Sequence, residues 1–373
     1  MDRPDENSLA DFEAARLLVR LPVVAANFKT AQRLAGPAAV AAVVKADAYG
    51  LGLTPAVKAL AAAGCDTYFV ARLGEGLALR PLVPTARIFV LDGAQPDAVP
   101  ALIAQRLTPV LNSLSEIAGW SAAAQATRTP LDAAIHLDTG MNRLGMPASE
   151  LAALSAEHAE RLKAIRLVLV MSHLACADNP AAKMNRVQLE RFKTALAILP
   201  PAPASLSASG GVLLGKEYHF DMVRPGLCLY GGNPQPAYPN PFAIPVKLTA
   251  KILQLRRVDR GESVGYGATF RVERPSVLAT VGVGYADGIM RALSNRGSAA
   301  VGGVKVPIVG RVSMDLATLD VTAVPGTLTT GMDVELFGET ISLEEVASAA
   351  GTVSYEILTS LSRRAVRQYE DAP

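Results

Sequence analysis

A lysine follows a run of small apolar residues early in the chain. The stretch AAVAAVVKADAYGLG, residues 38–52, places seven Ala and Val residues directly before Lys45. Lysine is rarely buried unless it is paired or chemically used. A desolvated lysine amine can attack a carbonyl carbon and form an imine. Lys45 is therefore the first candidate for covalent chemistry in this sequence.

Other reactive or charged side chains occur at the ends of short β-like runs. Each could be a polar residue at an exposed strand end, and for any single one that is the simpler interpretation. Because all of them follow predicted strands, together they favour a shared functional site. They are Arg72, Asp138 with Arg143 close behind it, His173, Ser209 and Arg224.

The elements that must position these residues alternate between β-like runs and helical patterns. This alternation is typical of parallel βαβ units. Eight runs predict a closed (β/α)8 TIM-type barrel rather than an open sheet, with its active site at the C-terminal ends of the strands. The runs are residues 39–45, 67–72, 86–92, 108–112, 131–138, 166–173, 204–209 and 222–230.

The composition changes after the eighth run. Residues 231–245, GGNPQPAYPNPFAIP, are rich in proline and glycine and read as a linker. The segments that follow are β-rich and separated by glycine and proline turns, which predicts a mainly antiparallel β domain. We expect the barrel to span residues 11–239 and the β domain residues 240–373.

Two glycine-containing segments follow the seventh and eighth runs. They are SASGG, residues 207–211, and RPGL, residues 224–227. Barrel enzymes often bind phosphate at this place through backbone N–H groups. A lysine beside a phosphate site favours pyridoxal phosphate as a cofactor. An aldolase-type lysine remains open at this point.

Composition excludes several other classes of function. The chain of 373 residues has 36 basic and 34 acidic residues and only 5% aromatic residues, which disfavours nucleic-acid binding. Its three cysteines, Cys65, Cys176 and Cys228, lack metal-site or disulfide spacing, so we expect free thiols and no metal. The N-terminal segment lacks the apolar core of a signal peptide, and no run approaches the roughly 18 apolar residues of a membrane span. We expect a cytoplasmic protein.

The segment VVKADAYGLG resembles the cofactor-binding lysine segment of the alanine racemases, which use pyridoxal phosphate. The resemblance extends over most of the chain, because seven further segments are similar to the family's and occur in its order. They are HLDTGMNRLG (136–145), MSHLACAD (171–178), VRPGLCLYG (223–231), VGYGATF (264–270), VGYADG (283–288), VGRVSMD (309–315) and SYEILTSLSRR (354–364).

The resemblance implies that Lys45 and Tyr266 are the two acid/base groups of a racemase for L- and D-alanine. Racemisation needs groups on opposite faces of Cα, because a single base would tend to restore the original configuration. In the family the tyrosine comes from the partner subunit, which implies a head-to-tail homodimer. From the residues alone, Tyr266 would be a core aromatic of the β domain.

The resemblance also implies roles for further positions. Residues expected to bind the cofactor, besides Lys45, are Tyr49, Arg143, His173, Ser209, Arg224, Gly226, Leu227 and Tyr355. Residues expected to bind the substrate are Arg143, Met314, Tyr266 and Asp315. Residues expected to line the path by which substrate enters are Tyr285, Arg291 and Arg311.

Three positions differ from the common family pattern. His136 stands where many members have a carbamylated lysine that braces the active-site arginine, so Arg143 must be oriented by a bound anion or by His136 itself. Ala208 and Ser313 replace a frequent asparagine and a frequent cysteine. Neither of these two is required for covalent chemistry.

Several alternatives to an alanine racemase remain. A racemase for serine or another amino acid would share these residues, since one methylene changes selectivity by only ~1–3 kcal/mol. A barrel-type decarboxylase would not explain VGYGATF, and a non-catalytic pyridoxal phosphate carrier would not need the Tyr266 domain. The sequence does not distinguish the supply of D-alanine for peptidoglycan from alanine catabolism.

Overall fold

The computed structural model describes residues 14–371. Within them the chain forms a seven-stranded parallel sheet surrounded by helices and a separate eight-stranded sheet. The parallel sheet comprises Ala42–Val43, Thr67–Val70, Arg87–Val90, Thr108–Leu111, Leu131–His136, Ile165–Met171 and Ala204–Ser205.

An eighth parallel strand, Met222–Val223, closes this sheet into a barrel. It pairs with Ala39–Val40, the first half of the first barrel strand. On its other side, the Arg224 N–H donates to the Ser207 carbonyl at 2.8 Å. Hydrogen bonds therefore run from the seventh strand through the eighth to the first. The predicted (β/α)8 barrel is confirmed.

Helices pack around the barrel because each has an apolar face. In Leu21–Ala35 the buried residues Val24, Phe28, Ala31 and Ala35 recur at intervals of three or four, which places them on one side of the helix. The other helices of this part are Leu53–Ala62, Leu73–Leu79, Val99–Ala104, Leu114–Thr127, Ala148–Arg161, Lys183–Ala197 and Ser209–Val212, and Lys45–Tyr49 forms a short left-handed turn.

The second sheet is antiparallel apart from one pair, which confirms the predicted mainly antiparallel β domain. Its strands are Ala15–Arg20, Val246–Val258, Ser276–Val281, Ser298–Val301, Val304–Pro307, Ala317–Asp320, Asp333–Phe337 and Val366–Glu370. A two-stranded hairpin, Ser263–Val264 with Phe270–Arg271, carries the loop that contains Tyr266. Helices Leu343–Ala350 and Ser354–Thr359 complete this part.

The strand Ala15–Arg20 was not predicted. It pairs antiparallel with Val246–Val258 and parallel with Val366–Glu370, so a segment that precedes the barrel belongs to the second sheet. The domain limits 11–239 and 240–373 stay a prediction, and residues 11–13 and 372–373 lie outside the described part of the chain.

The run at residues 222–230 was predicted as one strand, but the strand ends at Val223 and residues Leu227–Tyr230 form a 3-10 helix. Pro225 has no N–H to donate to a neighbouring strand, which limits pairing there. This early end brings Gly226 and Leu227 to the mouth of the barrel.

In the described residues, the helices are all too short or too polar to cross a membrane. Cys65 and Cys228 are buried, Cys176 is partly exposed, and all three thiols are free. The cytoplasmic location stays a prediction.

Candidate active site

Lys45 lies immediately beyond the first barrel strand, in a turn of unusual backbone conformation. The four residues Ala46 to Tyr49 all have φ between 53° and 58°. Left-handed backbone costs a non-glycine residue about 1–2 kcal/mol. Glu75 stabilises this turn by accepting the Ala46 N–H at 2.6 Å. The strained turn after Lys45 is therefore held by specific contacts.

The second sheet also supports this turn. The Arg367 guanidinium donates to the Gly50 carbonyl at 3.0 Å, and the Tyr369 hydroxyl donates to the Leu51 carbonyl at 3.0 Å. Both donors lie on the strand Val366–Glu370. The position of Lys45 thus depends on both parts of the chain.

The Lys45 amine lies in an environment that favours its neutral form. Burial, followed by the positive charge of Arg143, lowers the pKa of Lys45 from 10.5, whereas Glu75 and Asp92 raise it. A lysine with a lowered pKa is a better nucleophile and base near neutral pH.

Arg224 lies on the floor of the barrel mouth and is only 3% exposed. Its guanidinium donates to the Ser205 hydroxyl and to the Ser172 carbonyl, the latter at 2.7 Å. Its Nη2 also lies 3.4 Å from Nδ1 of His173. Burial lowers the pKa of Arg224 to about 9, so it remains charged at neutral pH.

His173 lies beside this cation and is neutral. Burial, and then the charges of Arg224 and Arg143, lower the pKa of His173 to about 3. A neutral His173 can accept a hydrogen bond from Arg224 at Nδ1 and donate one from its other nitrogen.

Polar groups converge at the short helix Ser209–Val212. The Ser209 hydroxyl accepts the Gly226 N–H at 3.0 Å and the Cys228 N–H at 3.3 Å. A Cβ at Gly226 would lie 2.3 Å from the hydroxyl oxygen of Tyr49. That hydroxyl has no hydrogen-bond partner among the described residues. The hydroxyl groups of Ser209 and Tyr49 can each donate to a phosphate, so the residues present fit the phosphate end of pyridoxal phosphate.

Two further predicted residues lie at this end of the site. The ring of Tyr355, on helix Ser354–Thr359, is 6.1 Å from that of Tyr49. Tyr355, Leu227 and His173 also line one cavity of ≈ 490 Å³. A larger cavity of ≈ 740 Å³, between helices Leu21–Ala35 and Leu53–Ala62, contains none of the predicted site residues.

Arg143 lies on a loop that follows the fifth barrel strand. The Asp138 carboxylate shapes this loop by accepting the N–H groups of Gly140, Met141 and Asn142 at 2.8–3.1 Å. The Arg143 guanidinium is exposed and has no hydrogen bond or ion pair with any other described residue. It is thus available to bind an anion.

The predicted residues of the second domain are all exposed. Tyr266 is 72% exposed, and Tyr285 and Met314 are also exposed. The segments that carry Tyr285 and Met314 pair through the main chain, because the Tyr285 N–H donates to the Ser313 carbonyl and the Ala286 N–H to the Met314 carbonyl, both at 3.0 Å. Arg291, Arg311 and Asp315 are exposed in the same region, and Asp315 accepts a hydrogen bond from Arg364 at 2.7 Å.

This chain alone therefore brings only part of the predicted site together. Lys45, Tyr49, Arg224 and His173 lie around the barrel mouth. Within residues 14–371, no hydrogen bond or ring contact joins Tyr266 to another residue. Arg72 extends into solvent, with its Nε 3.8 Å from the Asp92 carboxylate, and stays outside the group.

Sequence reasoning missed residues that hold the site in place. Glu75 supports the Lys45 turn, and its place in the first turn of a helix was a usable signal. Asn112 contacts His136, at 2.9 Å between Oδ1 and Nδ1. Gln188 donates to the His173 carbonyl at 2.8 Å and to the Thr139 hydroxyl at 3.1 Å. No local pattern indicated either amide.

Comparisons with known proteins place these observations in one family. Residues 19–234 match the family model described as alanine racemase, N-terminal domain, and residues 245–369 match alanine racemase, C-terminal domain. A protein of Agrobacterium fabrum named as a catabolic alanine racemase is 48% identical over 358 residues, which cover 95% of this chain and 92% of the relative.

Two solved structures are also similar to this chain. Alanine racemase from Bartonella henselae, with covalently bound pyridoxal phosphate, has a TM-score of 0.92 and 39% identity and covers 96% of this chain and 99% of its own. Biosynthetic alanine racemase from Pseudomonas aeruginosa has a TM-score of 0.91 and 35% identity, with the same coverage. The lysine at the barrel mouth, the hydroxyl groups that suit a phosphate and these matches lead to one conclusion: the chain belongs to the alanine racemase family, whose enzymes use pyridoxal phosphate.

Proposed function

We propose that this alanine racemase interconverts L- and D-alanine by proton transfer at opposite faces of Cα, with Lys45 on one face and Tyr266 on the other. Pyridoxal phosphate, when bound, acidifies the α-proton of the attached amino acid by withdrawing electrons. Lys45 removes or returns the proton on its face, and Tyr266 does so on the opposite face. The observation that carries the proposal is the half-buried Lys45 at the end of the first barrel strand, whose pKa is lowered by burial and by the charge of Arg143.

Tyr266 reaches the Lys45 of a second copy of the chain in this proposal. Its exposure of 72% supports this arrangement, since an aromatic side chain that served its own domain's core would be buried. Exposed Tyr285 and Met314 nearby extend the surface that a partner would cover. The resulting assembly is a head-to-tail homodimer with two equivalent active sites.

The remaining residues of the barrel mouth would bind and orient the cofactor. Arg224 would donate to the pyridine nitrogen of the cofactor, and His173 would hold Arg224 and extend the hydrogen bonds toward Tyr266. Because arginine keeps its proton, this nitrogen stays unprotonated and electron withdrawal is moderated. The residues proposed to hold the phosphate are Tyr49, Ser209, Gly226, Leu227 and Tyr355.

Substrate contacts come from both subunits. Arg143 would bind the cofactor's phenolic oxygen and the substrate carboxylate, for which its guanidinium, unpaired among residues 14–371, is suited. The Met314 backbone N–H of the partner copy would also meet the carboxylate, supported by Asp315. Tyr285, Arg291 and Arg311 would line the access path, where positive charge favours carboxylate-bearing substrates.

A mixed-dimer experiment tests the shared site. Lys45→Ala and Tyr266→Phe chains should each be inactive, and should regain activity after being unfolded together and refolded with cofactor. In a mixed dimer one site combines an intact Lys45 with an intact Tyr266, so random pairing restores about a quarter of the sites. If both groups came from the same chain, no mixture would recover activity. The two variants refolded separately serve as controls.

Two cellular roles fit this activity. D-alanine can be supplied for peptidoglycan, or alanine can be degraded after interconversion, and both roles fit a cytoplasmic enzyme. Growth of a deletion strain distinguishes them: a biosynthetic role predicts a requirement for D-alanine, and a catabolic role predicts loss of growth on alanine as the carbon source.

A further inference from the structure

His136 ends the fifth barrel strand and has a defined protonation state. It is 9% exposed, and its Nδ1 lies 2.9 Å from Oδ1 of Asn112. The Asn112 amide nitrogen donates to the carbonyls of Val110 at 2.8 Å and Leu91 at 3.3 Å. Both amide hydrogens are therefore engaged and Oδ1 must act as the acceptor, so His136 carries its proton on Nδ1.

The opposite nitrogen, Nε2, then presents a lone pair. Burial and the charge of Arg224 are the main reasons that the pKa of His136 falls to about 4, which keeps the ring neutral at pH 7. Within the described chain no hydrogen bond is made to Nε2. His136 thus has an acceptor free on one edge of its ring.

This edge faces the loop that carries Arg143. The loop is anchored on His136 itself, because the Met146 N–H donates to the His136 carbonyl at 2.8 Å. A Cβ at Gly145 would lie 3.2 Å from Cδ2 of His136, the carbon bonded to Nε2. The charged groups that act on the ring are Arg224, Asp138 and Arg143. Of these, Arg143 has no hydrogen bond elsewhere in the described chain.

We propose that His136 is a positioning residue that accepts a hydrogen bond at Nε2 from Arg143 and orients its guanidinium toward the substrate carboxylate. This inference rests on the proposed carboxylate-binding role of Arg143. The same kind of contact occurs nearby, where Nη2 of Arg224 lies 3.4 Å from Nδ1 of His173. Nε2 of His136 is a hydrogen-bond acceptor and the Arg143 guanidinium is a donor, so the ring itself can orient Arg143 without a bound anion.

Histidine NMR tests the hydrogen bond independently of activity. The chain has only four histidines, so ¹⁵N-histidine labelling gives a readable spectrum, and the His136 signals are those lost in His136→Phe. With cofactor and propionate as an unreactive carboxylate, His136 should show the Nδ1–H form and a hydrogen-bonded Nε2. Arg143→Met should return Nε2 to the position of a free acceptor. A proton on Nε2, or an unchanged Nε2 signal in Arg143→Met, would overturn the proposal.

Kinetics distinguish positioning from a structural role. His136→Phe keeps a ring beside Gly145 but has no acceptor, and the KM for alanine should rise about ten- to a hundredfold, the range for one lost hydrogen bond to a charged group. His136→Gln, which retains a donor and an acceptor, should recover much of this loss. His158→Phe, on the outer helix Ala148–Arg161, is the matched control and should keep the wild-type KM.

Two comparisons between variants distinguish failure of the His136 inference from failure of the proposed role of Arg143. The double variant His136→Phe with Asn112→Leu removes the buried amide left unpaired in His136→Phe, so a raised KM there cannot be attributed to that amide. If Arg143→Met raises the KM but neither phenylalanine variant does, the inference fails and the proposed function stands. If Arg143→Met leaves the KM unchanged, the proposed role of Arg143 fails, and the inference with it.

Discussion

Replacing Gly226 with alanine should weaken the binding of pyridoxal phosphate. The added Cβ would lie 2.3 Å from the hydroxyl oxygen of Tyr49 and 2.9 Å from its Cζ, closer than packed atoms tolerate. The φ of Gly226 is −132°, outside the left-handed region that favours glycine, and the predicted effect comes from the steric overlap with Tyr49. Tyr49 cannot easily move aside, because its ring packs 4.9 Å from that of Tyr230.

The size of the effect follows from this overlap. Overpacking a tight site costs about 1–3 kcal/mol, and binding in the native geometry must overcome that strain. The dissociation constant should therefore rise about 5- to 150-fold. In the double variant Gly226→Ala with Tyr49→Phe, the 2.3 Å contact is gone but the 2.9 Å contact remains. Its affinity for the cofactor should lie between those of wild type and Gly226→Ala, reduced by any hydrogen bond that the Tyr49 hydroxyl makes to the phosphate.

The assay is an absorbance titration of the cofactor-free protein with pyridoxal phosphate. Gly119→Ala is the matched control, since a Cβ there meets no atom within 4 Å. Thermal unfolding of the cofactor-free variants verifies that the barrel is intact. Equal affinities for Gly226→Ala and Gly119→Ala would refute the assignment of Gly226 and Tyr49 to the phosphate site.

Three further predictions concern the supports of the site. Glu75→Ala removes an acceptor for three backbone N–H groups, including that of Ala46. Its free energy of unfolding, measured by urea titration, should fall by about 1–3 kcal/mol. Glu75→Gln keeps one acceptor oxygen, so its free energy of unfolding should fall by less. Lys45 accepts a proton only when neutral, so kcat, which reports the substrate-bound enzyme, should rise with pH through the lowered pKa of Lys45. Since Arg143 contributes to that lowering, Arg143→Met should move the rise to higher pH, and a shift to lower pH would contradict this reasoning. Arg224→Glu should protonate the cofactor's ring nitrogen and raise pyruvate formation by half-transamination relative to racemisation; pyruvate at the wild-type level would show that Arg224 does not restrain this side reaction.

The barrel could be predicted from the sequence because its signal is local. Each strand and the helix that follows it appear as neighbouring patterns, and the polar residues at strand ends converge once the barrel is assumed. The strand Ala15–Arg20 alternates buried and half-buried residues, yet its partners lie more than 200 residues away. Nothing in the segment itself indicates those partners.

Residue types indicated the candidate site residues more readily than the contacts that hold those residues in place. Lys45 and Ser209 stood out by chemistry and position. The left-handed turn at Ala46 to Tyr49 is formed by residues that normally avoid that conformation, so tertiary contacts impose it. The pairing of Asn112 with His136 joins neighbouring strands and leaves no trace in either segment.

Proton exchange in deuterated water tests the central claim, that Lys45 and Tyr266 act on opposite faces of Cα. L-alanine and D-alanine are each incubated with wild type and with Tyr266→Phe, and α-proton loss is followed by NMR alongside a chiral assay. We predict exchange with racemisation of both enantiomers in wild type. In Tyr266→Phe we predict exchange of one enantiomer with its configuration retained. Racemisation by Tyr266→Phe at the wild-type rate would contradict the two-face account.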